Sequence, residues 1–220
     1  MCGQDIQRGG DSSRVLVDWI RQVGRSTPKK KISEQQKKLR MLEVGALRPD
    51  NACSRSSVFD VTRIDLNSRH PSIQTQDFMH RPLPTDDAQR FDIISLSLVL
   101  NYVSLPAARG EMLRRTTEFL RYHPASLDQD SLMTDFFPSL FLVLPAPCVM
   151  NSRYLDERRL ADIMVSLGYC LVKSKLSAKL IYQLWKLGSE VAGTTASPTE
   201  FIKEEVNPGR TRNNFAIVLR

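Results

Sequence analysis

Cysteine and histidine are scarce in this sequence, and their scarcity limits the chemistry that it can perform. The four cysteines, Cys2, Cys53, Cys148 and Cys170, lie far apart without a Cys-x-x-Cys pair, and the three histidines show no ligand spacing. Zinc sites need closely patterned ligands, and disulfide frameworks need paired cysteines. The sequence therefore predicts no metal site, and it predicts cysteines that are reduced and mostly buried.

Long apolar runs are missing as well. No stretch of roughly eighteen apolar residues is present, which argues against a transmembrane helix. The opening "MCGQDIQRGGDSS" lacks the apolar centre of a secretory signal, so we expect an intracellular protein. Aromatic residues make up only 7% of the 220 residues, but the hydrophobic fraction of 41% is enough for the core of one α/β domain.

Charge is unevenly balanced. The 31 basic residues exceed the 24 acidic ones and give a formal net charge of +7. This excess favours an anionic partner such as nucleic acid, although many basic proteins bind none. Basic residues cluster at Lys29–Lys31 with Lys37 and Lys38, at Arg114 with Arg115, and at Arg153 with Arg158 and Arg159. Each cluster is either an RNA-facing surface or an ordinary solvated helix face or linker.

The first 38 residues predict a helix followed by a linker. Asp11, Ser12 and Ser13 can each cap a helix, and Gly24 can end it. Apolar residues recur on one helical face between them, at Val15, Leu16, Trp19, Ile20 and Val23. The polar, basic segment "STPKKKISEQQKK" follows. We therefore divide the chain into an N-terminal helix with a basic linker, residues 1–38, and one domain, residues 39–220.

From Leu39 onwards, apolar runs alternate with amphipathic segments. The near-continuous apolar runs "RMLEV", "DVTRIDLN", "FDIISLSLVL" and "SLFLVLP" suit strands that are covered on both faces, as in a parallel sheet. Helices are predicted for "PAARGEMLRRTTEFLRY", which has Pro106 at its start, and for "NSRYLDERRLADIMVSLGY", which is capped by Asn151 or Ser152 and ended by Gly168. The pattern predicts an α/β fold with a mostly parallel sheet.

The last third departs from this alternation. "YCLVKSKLSAKLIYQLWKL" is an extended segment with a bend, and "NNFAIVL" is a final strand beyond a loop-like stretch. Two extended segments joined in this way predict an antiparallel hairpin at the edge of the sheet, near the C-terminal end.

Acidic residues stand at the ends of three successive predicted strands. Glu43 comes just before Gly45, Asp65 lies twenty residues after Gly45, and Asp77 precedes Phe78. In a doubly wound sheet, ligands bind beyond the carboxyl ends of the strands, and a glycine there lets the backbone approach the ligand closely. Asp65 has the spacing of an acid that binds ribose hydroxyls. Asp77 can accept from an adenine amino group, and Phe78 can cover the ring.

The dinucleotide-binding fingerprint is absent, because Gly45 is the only glycine in its turn. A pyrophosphate cradle is therefore not predicted, and the pattern suits an adenosine ligand without phosphates, such as S-adenosylmethionine (SAM). Taken singly, each of the acids is more often a cap or a surface carboxylate. Three of them at successive strand ends favour a cofactor site.

Long motifs are distributed over nearly the whole chain: "RGGDSSRVLVDWI", "LEVGALRPDN", "FDVTRIDLNSRHPSIQTQDFM", "FDIISLSLVLNYV", "LFLVLPAPCVMNSRY" and "RNNFAIVL". Together they resemble the fungal 25S ribosomal RNA adenine-N1 methyltransferase family, whose animal relatives act as SAM sensors. The resemblance implies a class I, Rossmann-like methyltransferase fold for residues 39–220, with SAM contacts at Gly45 and Asp65. It also implies ribosomal RNA of the pre-60S particle as the partner and a nuclear and nucleolar location.

The implied reaction needs little acid–base help. Adenine N1 has a free lone pair, so catalysis rests mainly on positioning, and the base must be unpaired or flipped to expose N1. Many amino-methylating enzymes carry Asp/Asn-Pro-Pro-Tyr after the fourth strand, whereas "SLSLVLNYV" lacks the two prolines. Asn101 and Tyr102 are the candidate catalytic residues. They either hold the adenine edge and stack on it, or are a strand-end cap and a core aromatic.

Three functions remain open at this point. The leading prediction is an enzyme that uses SAM to methylate N1 of an adenine in 25S rRNA. The alternative is a SAM-binding sensor that acts through a protein partner, and a small-molecule methyltransferase is a weaker third. The fold and the cofactor site do not separate them. Positive charge and the closeness of the motifs to the fungal branch favour the RNA enzyme.

Overall fold

The computed structural model describes residues 11–26, 38–121, 135–188 and 200–220. Its centre is a seven-stranded sheet in the order β3-β2-β1-β4-β5-β7-β6. The strands are β1 Leu39–Val44, β2 Phe59–Asp65, β3 Gln74–Thr75, β4 Ile93–Ser97, β5 Ser139–Pro145, β6 Tyr169–Leu176 and β7 Leu180–Leu187. The helices are α1 Ser13–Ser26, α2 Pro106–Phe119, α3 Ala146–Met150 and α4 Glu157–Ser166.

The strand directions confirm the predicted fold class. The neighbouring pairs from β3 to β5 are all parallel, whereas β7 runs antiparallel to both β5 and β6. This is the predicted mostly parallel, Rossmann-like sheet, with an antiparallel hairpin at its C-terminal edge. The order reverses between β1 and β4, and such a reversal opens a crevice at the carboxyl ends of the two strands.

Apolar side chains fill both faces of the sheet. On one face α1 packs Leu16 and Ile20 against the sheet, and Trp19 meets Phe141 edge-on at a centroid distance of 6.0 Å. On the other face, α2, α4 and the C-terminal segment form the larger core. Residues 27–37 of the predicted linker lie outside the described residues, so the division at residue 38 stays a prediction. No helix in the described ranges is long and apolar enough to cross a membrane.

Asp92 joins several elements at the amino ends of the central strands. Its side chain is 0% exposed. One carboxylate oxygen accepts from Arg40 N at 2.7 Å, and the other from Arg121 Nη1 at 3.0 Å. Its backbone carbonyl accepts from Ser139 N at 3.0 Å. One residue thus connects β1, the start of β4, the chain just after α2 and β5.

The predicted start of the fourth helix is wrong. Asp156 caps α4, because its Oδ1 accepts from Arg159 N at 2.7 Å. The predicted caps, Asn151 and Ser152, come earlier, and Ser152 Oγ instead donates to Phe215 O at 2.5 Å. The predicted end is confirmed, since Gly168 follows the helix with a φ of 84°.

The predicted final strand is also wrong. The hairpin forms within residues 169–187, between β6 and β7. The segment "NNFAIVL" makes only isolated bridges, Ser152 to Asn213 and Phe201 to Leu219. It crosses α2 instead, where Arg109 Nη1 donates to Ala216 O at 2.7 Å and Val218 N donates to Pro106 O at 3.0 Å. An apolar run that is buried against a helix has the same sequence pattern as a buried strand.

The C-terminal segment can cross α2 closely because residue 110 is a glycine, so we expect Gly110→Ala to destabilise the protein. An added Cβ would lie 1.9 Å from Val218 O, a backbone atom that moves only if the whole C-terminal segment moves. This overpacking should cost about 1–3 kcal/mol in the free energy of unfolding, and it should outweigh the roughly 1 kcal/mol by which alanine normally favours a helix.

Chemical denaturation measures this difference. Gly188→Ala is the matched control, because the nearest atom to its added Cβ is Gly168 O at 3.4 Å. A Gly110→Ala variant as stable as the control would contradict the packing described for the C-terminal segment.

Candidate functional site

Gly45 makes the turn at the carboxyl end of β1, where the strand order reverses. Its φ is 72°, a region that glycine occupies without steric cost. Its N–H donates to Ile64 O at 2.8 Å, and an added Cβ would lie 2.6 Å from Val99 Cγ2. The turn therefore needs glycine both for its backbone conformation and for the closeness of the chain that follows β4.

Glu43 lies two residues before this turn and is only 8% exposed. Its Oε1 accepts from Asn51 Nδ2 at 2.6 Å. Its Oε2 lies 3.7 Å from Arg63 Nε, which is too far for a hydrogen bond, and has no hydrogen-bond partner within the described part of the chain. A buried carboxyl oxygen without a donor is rare in folded proteins and calls for an explanation.

Burial dominates the electrostatics of this carboxyl group. Removal from water raises the pKa of Glu43 from 4.5 to about 7, and nearby Asp11 acts in the same direction. The hydrogen bond from Asn51 and the charge of Arg63 lower the pKa but do not cancel the effect of burial. Near neutral pH, Glu43 therefore exists as a mixture of the protonated and ionised forms.

Glu43 and Gly45 share a cleft with parts of the chain distant in sequence. Its walls are the ends of β1 and β4, the start of α1 and the loop after β1, with the lining residues Asp11, Ser12, Ser13, Glu43, Val44, Gly45, Leu47, Asn51, Ser95 and Ser97. The cleft contains polar groups from several strands and a helix start. These groups surround the turn at Gly45.

Asp65 lies where the sequence predicted it, at the end of β2 beside β1. Its Oδ1 accepts from Asn67 N at 2.8 Å, which holds the carboxylate at the strand end. The side chain is half-buried. Since β2 is the neighbour of β1, Asp65 and Gly45 stand at the same edge of the sheet, and the ribose contact stays a prediction that this placement favours.

Asp77 and Phe78 follow β3, but their contacts are those of local structure. Asp77 caps a 3₁₀ turn through Met79 N at 2.8 Å, and its Oδ2 lies 2.7 Å from His80 Nδ1. Phe78 is 2% exposed, and its ring packs 5.4 Å from that of Phe119. Both adenine contacts stay predictions, and the burial of Phe78 leaves its ring little surface to offer a ligand.

Asn101 and Tyr102 lie on a 3₁₀ turn that follows β4. Leu98, with a φ of 57°, redirects the chain before that turn. Tyr102 is 57% exposed, so it is not a core aromatic. Asn101 Oδ1 is shielded from solvent and has no hydrogen-bond partner among the residues that the structure describes. An exposed ring next to an unsatisfied amide oxygen is compatible with the predicted contacts to a base.

The basic clusters are mostly engaged within the protein. Arg115 donates to the backbone oxygens of Phe78 and Arg81. Arg159 donates to Ile202 O at 2.9 Å and lies over the Phe201 ring. Arg114 pairs with Glu111. Lys29–Lys31 and Lys37 lie outside the described residues. Arg115 and Arg159 therefore fasten their helices to neighbouring segments, and any contact that they make with RNA adds to that role.

Sequence reasoning missed two parts of the cleft. Asn51 reaches Glu43 only because the loop after β1 turns back, and a loop path leaves no periodic signal. The sequence predicted a helix cap at the start of α1, but a capping pattern does not show that this start lies beside β4. A hydrogen bond of 2.6 Å between Ser12 Oγ and Ser97 Oγ holds the start of α1 beside the end of β4.

The described part of the chain shows neither a metal-binding cluster nor a disulfide. Within the described ranges, no group of three His, Cys, Asp or Glu residues could hold a metal ion. Cys53 is buried, Cys148 is half-buried and Cys170 is exposed, and all three are free thiols. The prediction that the thiols are mostly buried is therefore wrong for the three cysteines the structure describes.

Comparison with known sequences gives one family match and two clear relatives. Residues 1–217 match the family described as 25S rRNA (adenine(2142)-N(1))-methyltransferase, Bmt2. The chain is 39% identical over 215 residues to the 25S rRNA adenine-N(1) methyltransferase of Schizosaccharomyces pombe, covering 98% of this chain and 72% of the relative. It is 37% identical over 219 residues to the 25S rRNA (adenine(2142)-N(1))-methyltransferase of Saccharomyces cerevisiae, covering 99% of this chain but 57% of the relative.

Solved structures give weaker likenesses. The magnesium protoporphyrin IX methyltransferase (ChlM) of Synechocystis PCC 6803 with bound SAM aligns with a TM-score of 0.47 at 11% identity, over 78% of this chain and 76% of that one. A SAM-dependent methyltransferase of Aquifex aeolicus aligns with a TM-score of 0.42 at 12% identity, over 80% of this chain and 88% of that one. Neither likeness is high enough to support a functional comparison.

The raised pKa of Glu43 makes the stability of the ligand-free protein depend on pH. Between about pH 4.5 and pH 7 the folded state keeps a proton that the unfolded chain has lost, so this contribution to stability falls as pH rises through about 7. Glu43→Gln removes the dependence. From about pH 5 to pH 8, the variant should gain on the order of 3 kcal/mol in unfolding free energy relative to wild type.

Denaturant titrations at several pH values test this expectation. Glu205→Gln, at an exposed position, corrects for the general loss of one carboxylate. Parallel pH profiles for wild type and Glu43→Gln would show that Glu43 keeps an ordinary pKa in the folded protein.

Proposed function

The chain belongs to the 25S rRNA (adenine(2142)-N(1))-methyltransferase family, and on that premise we propose that it uses SAM to methylate N1 of an adenine in 25S rRNA. Membership rests on the match over residues 1–217 and on the identity of 39% to the Schizosaccharomyces pombe enzyme. The relatives are named as enzymes for this reaction, which supports the enzyme over the sensor alternative.

The observation that carries the proposal is the arrangement at the strand reversal between β1 and β4. A glycine turn with a φ of 72°, an unsatisfied buried carboxyl oxygen on Glu43 and an acid at the end of the neighbouring strand stand at one edge of the sheet. These residues fit SAM chemically. Asp65 can accept from ribose hydroxyls, and Glu43 supplies a polar acceptor beside the turn at Gly45.

The reaction requires the protein to position the adenine and the methyl group more than to transfer a proton. SAM, when bound, supplies a methyl group on a positively charged sulfur. Adenine N1 gives its lone pair to the methyl carbon as the carbon–sulfur bond breaks, so the positive charge passes from sulfur to the methylated base and no proton has to leave. The protein's contribution is to hold N1 in line with the methyl group and to exclude water.

Asn101 and Tyr102 are proposed to position the base. N1 lies on the Watson–Crick edge, so the adenine must leave its pair or its stack to reach the site. An exposed Tyr102 ring can stack on the extruded base. The unsatisfied Asn101 Oδ1 can accept from the exocyclic amino group next to N1. Such a contact would orient N1 without consuming its lone pair.

The setting of the reaction is a further part of the proposal. We place the protein in the nucleolus of the nucleus, acting on the RNA of the pre-60S particle. The support is the 25S rRNA named for both relatives, together with the net charge of +7, which suits a polyanionic partner.

Transfer of a labelled methyl group to 25S rRNA tests the enzyme. Wild-type protein should methylate RNA from cells that lack the modification, and nucleoside analysis should find the label in 1-methyladenosine. RNA that already carries the modification is the control and should accept no label. A protein that binds SAM but transfers nothing to the unmodified RNA would favour the sensor alternative instead.

Asp65 should contribute directly to cofactor affinity. Asp65→Ala removes charge-assisted hydrogen bonds to the ribose, and the affinity for SAM should fall about 10- to 100-fold. Asp60→Ala is a matched control, because Asp60 is an exposed acid near the other end of the same strand. Calorimetry that gives equal affinities for the two variants would remove Asp65 from the site.

A further inference from the structure

A groove on the α2 side of the sheet shares no lining residue with the cleft at Gly45. It has a volume of about 430 Å³ and lies between strands β1–β3 and the loop that joins β3 to β4. Arg40 stands on the same face of β1 as Leu42, which belongs to the core that α2 covers. The groove is large enough for a ligand, because proteins hold small molecules in spaces of about 300–1,000 Å³.

The connection from β3 to β4 leaves this face of the sheet open. Crossover connections in parallel sheets are usually α-helical, and a helix at this place would cover the face. Residues 76–92, all of them described, instead form two 3₁₀ turns, Phe78–His80 and Asp87–Gln89. Pro82 and Pro84 lie between the turns and line the groove, and proline breaks the interior of a helix. The groove therefore takes the place of a covering helix.

The charged residues that line the groove are both arginines. Arg40 and Arg81 stand over the same ring, with their Cζ atoms 5.3 Å and 5.8 Å from the centre of Phe91. Each donates to a neutral oxygen, Arg40 to Ala88 O and Arg81 to the side chain of Gln76. Within the described ranges, neither guanidinium group has an acidic partner within 4 Å. Two positive charges thus share one ring without compensation.

Acids close to the groove in sequence or in register do not neutralise these arginines. Asp60 is the neighbour of Arg40 in the register of β1 and β2, but no ion pair joins the two side chains. Asp86 caps its own 3₁₀ turn, and Asp87 lies 3.3 Å from Arg121 Nε. The positive charge of the groove is therefore available to an anion from outside the described part of the chain.

The polar groups beside the arginines favour a phosphate backbone as that anion. Burial lowers the pKa of Arg81, so its charged form has lost hydration that a bound phosphate would replace. The guanidinium fork matches the geometry of phosphate oxygens. The amide groups of Gln74 and Gln89 and the hydroxyl of Thr62 line the same groove, and such groups commonly contact phosphate and sugar oxygens. RNA offers both kinds of oxygen at every nucleotide.

The groove approaches the proposed cofactor site without reaching the reacting base. Gln76 lines the groove, and its N–H donates to Asp65 O at 3.0 Å, so one end of the groove adjoins the end of β2. Asn101 and Tyr102 follow β4, on the other side of β1. RNA in the groove is therefore a part of the substrate other than the target nucleotide.

We propose that this groove binds the phosphate backbone of the substrate RNA away from the target adenine, with Arg40 and Arg81 pairing with phosphates. The proposal rests on the proposed function, because it assigns a second contact to the same RNA. The groove contributes affinity for the RNA and takes no part in methyl transfer. Its loss should therefore raise the KM for RNA and leave kcat unchanged.

Substitutions at Gln74 test the groove without removing an arginine. The Gln74 side chain is exposed on β3. Gln74→Glu adds a negative charge at nearly constant size, and Gln74→Lys adds a positive charge. The affinity for a fragment of unmodified 25S rRNA should fall about 3- to 10-fold in the first variant and rise by a similar factor in the second. Fluorescence anisotropy measures both affinities.

Gln22→Glu and Gln22→Lys are the matched controls. They make the same two changes of charge at an exposed position on α1, which packs on the other face of the sheet. RNA affinity should stay near wild type in both controls. Calorimetry should give the wild-type affinity for SAM in all four variants, and thermal melts confirm that each one is folded.

Arg81→Gln tests the charge in the groove directly. RNA affinity should fall about 10-fold, and the slope of log affinity against log salt concentration should become shallower by about 0.7–0.9, as expected for one lost phosphate contact. The rate of methyl transfer at saturating RNA should not change. The Gln74 variants still decide the question where Arg81→Gln lowers the melting temperature.

The outcomes separate the groove from the proposed function. Equal RNA affinities for Gln74→Glu and Gln74→Lys, in a protein whose wild type methylates the RNA, would overturn the groove and leave the enzyme in place. Gln74 variants that change the affinity for poly-L-glutamate but not for RNA would assign the groove to an acidic protein and would also overturn the proposal. Wild-type protein that neither binds nor methylates the RNA would overturn the proposed function, and the groove with it.

Discussion

The buried carboxylate of Asp92 is the constraint on which the rest of the fold depends. It takes backbone and side-chain donors from the start of β1 and from Arg121 just after α2, while its own backbone bonds to β5. A buried charge is tolerated only when it is fully paired, so these elements must meet in one register. With the amino ends of β1, β4 and β5 fixed, the register of the parallel pairs carries Glu43 and Ser95 to neighbouring positions. The relative positions of the site residues at the carboxyl ends therefore depend on the contacts that Asp92 makes at the amino ends.

The buried carboxyl group in the cleft, that of Glu43, differs from Asp92 because it is only partly paired. Glu43 is about as inaccessible to solvent as much of the core, yet one of its oxygens has no donor within the described residues. A carboxyl group kept in this state costs stability, whereas the pairing of Asp92 recovers most of that cost. The two acids therefore mark two different ends of the central strands: Asp92 joins structural elements at the amino ends, and Glu43 lies in the candidate site at the carboxyl ends. The paired acid lies at the amino ends of the strands, and the acid with an unsatisfied oxygen lies near the carboxyl ends.

Much of the fold could be predicted from local pattern, but the cleft could not. Continuous apolar runs identified β1, β2, β4 and β5, because burial on both faces leaves a direct mark in the sequence. The segment "NNFAIVL" was wrongly predicted to be a strand, because Ile217 and its neighbours are buried against α2 and not within the sheet. Gly45 and Asp65 were recognisable from their spacing. Asn51, Ser97 and the start of α1 were not, because their approach to Glu43 depends on loop paths and on helix placement that no periodicity encodes.

The insertion of β7 between β5 and β6 has a consequence for synthesis on the ribosome. β6 emerges before β7 but touches the sheet only through it, so neither strand can join until the chain has been made as far as Leu187. Until then the edge of β5 offers unpaired backbone groups to any other strand nearby. In the folded protein β7 pairs with β5 along the whole length of β5, with Trp185 opposite Leu140. Of the strands that the structure describes, the last in the sequence thus lies inside the sheet, and the edge of β5 stays unpaired until β7 has been made.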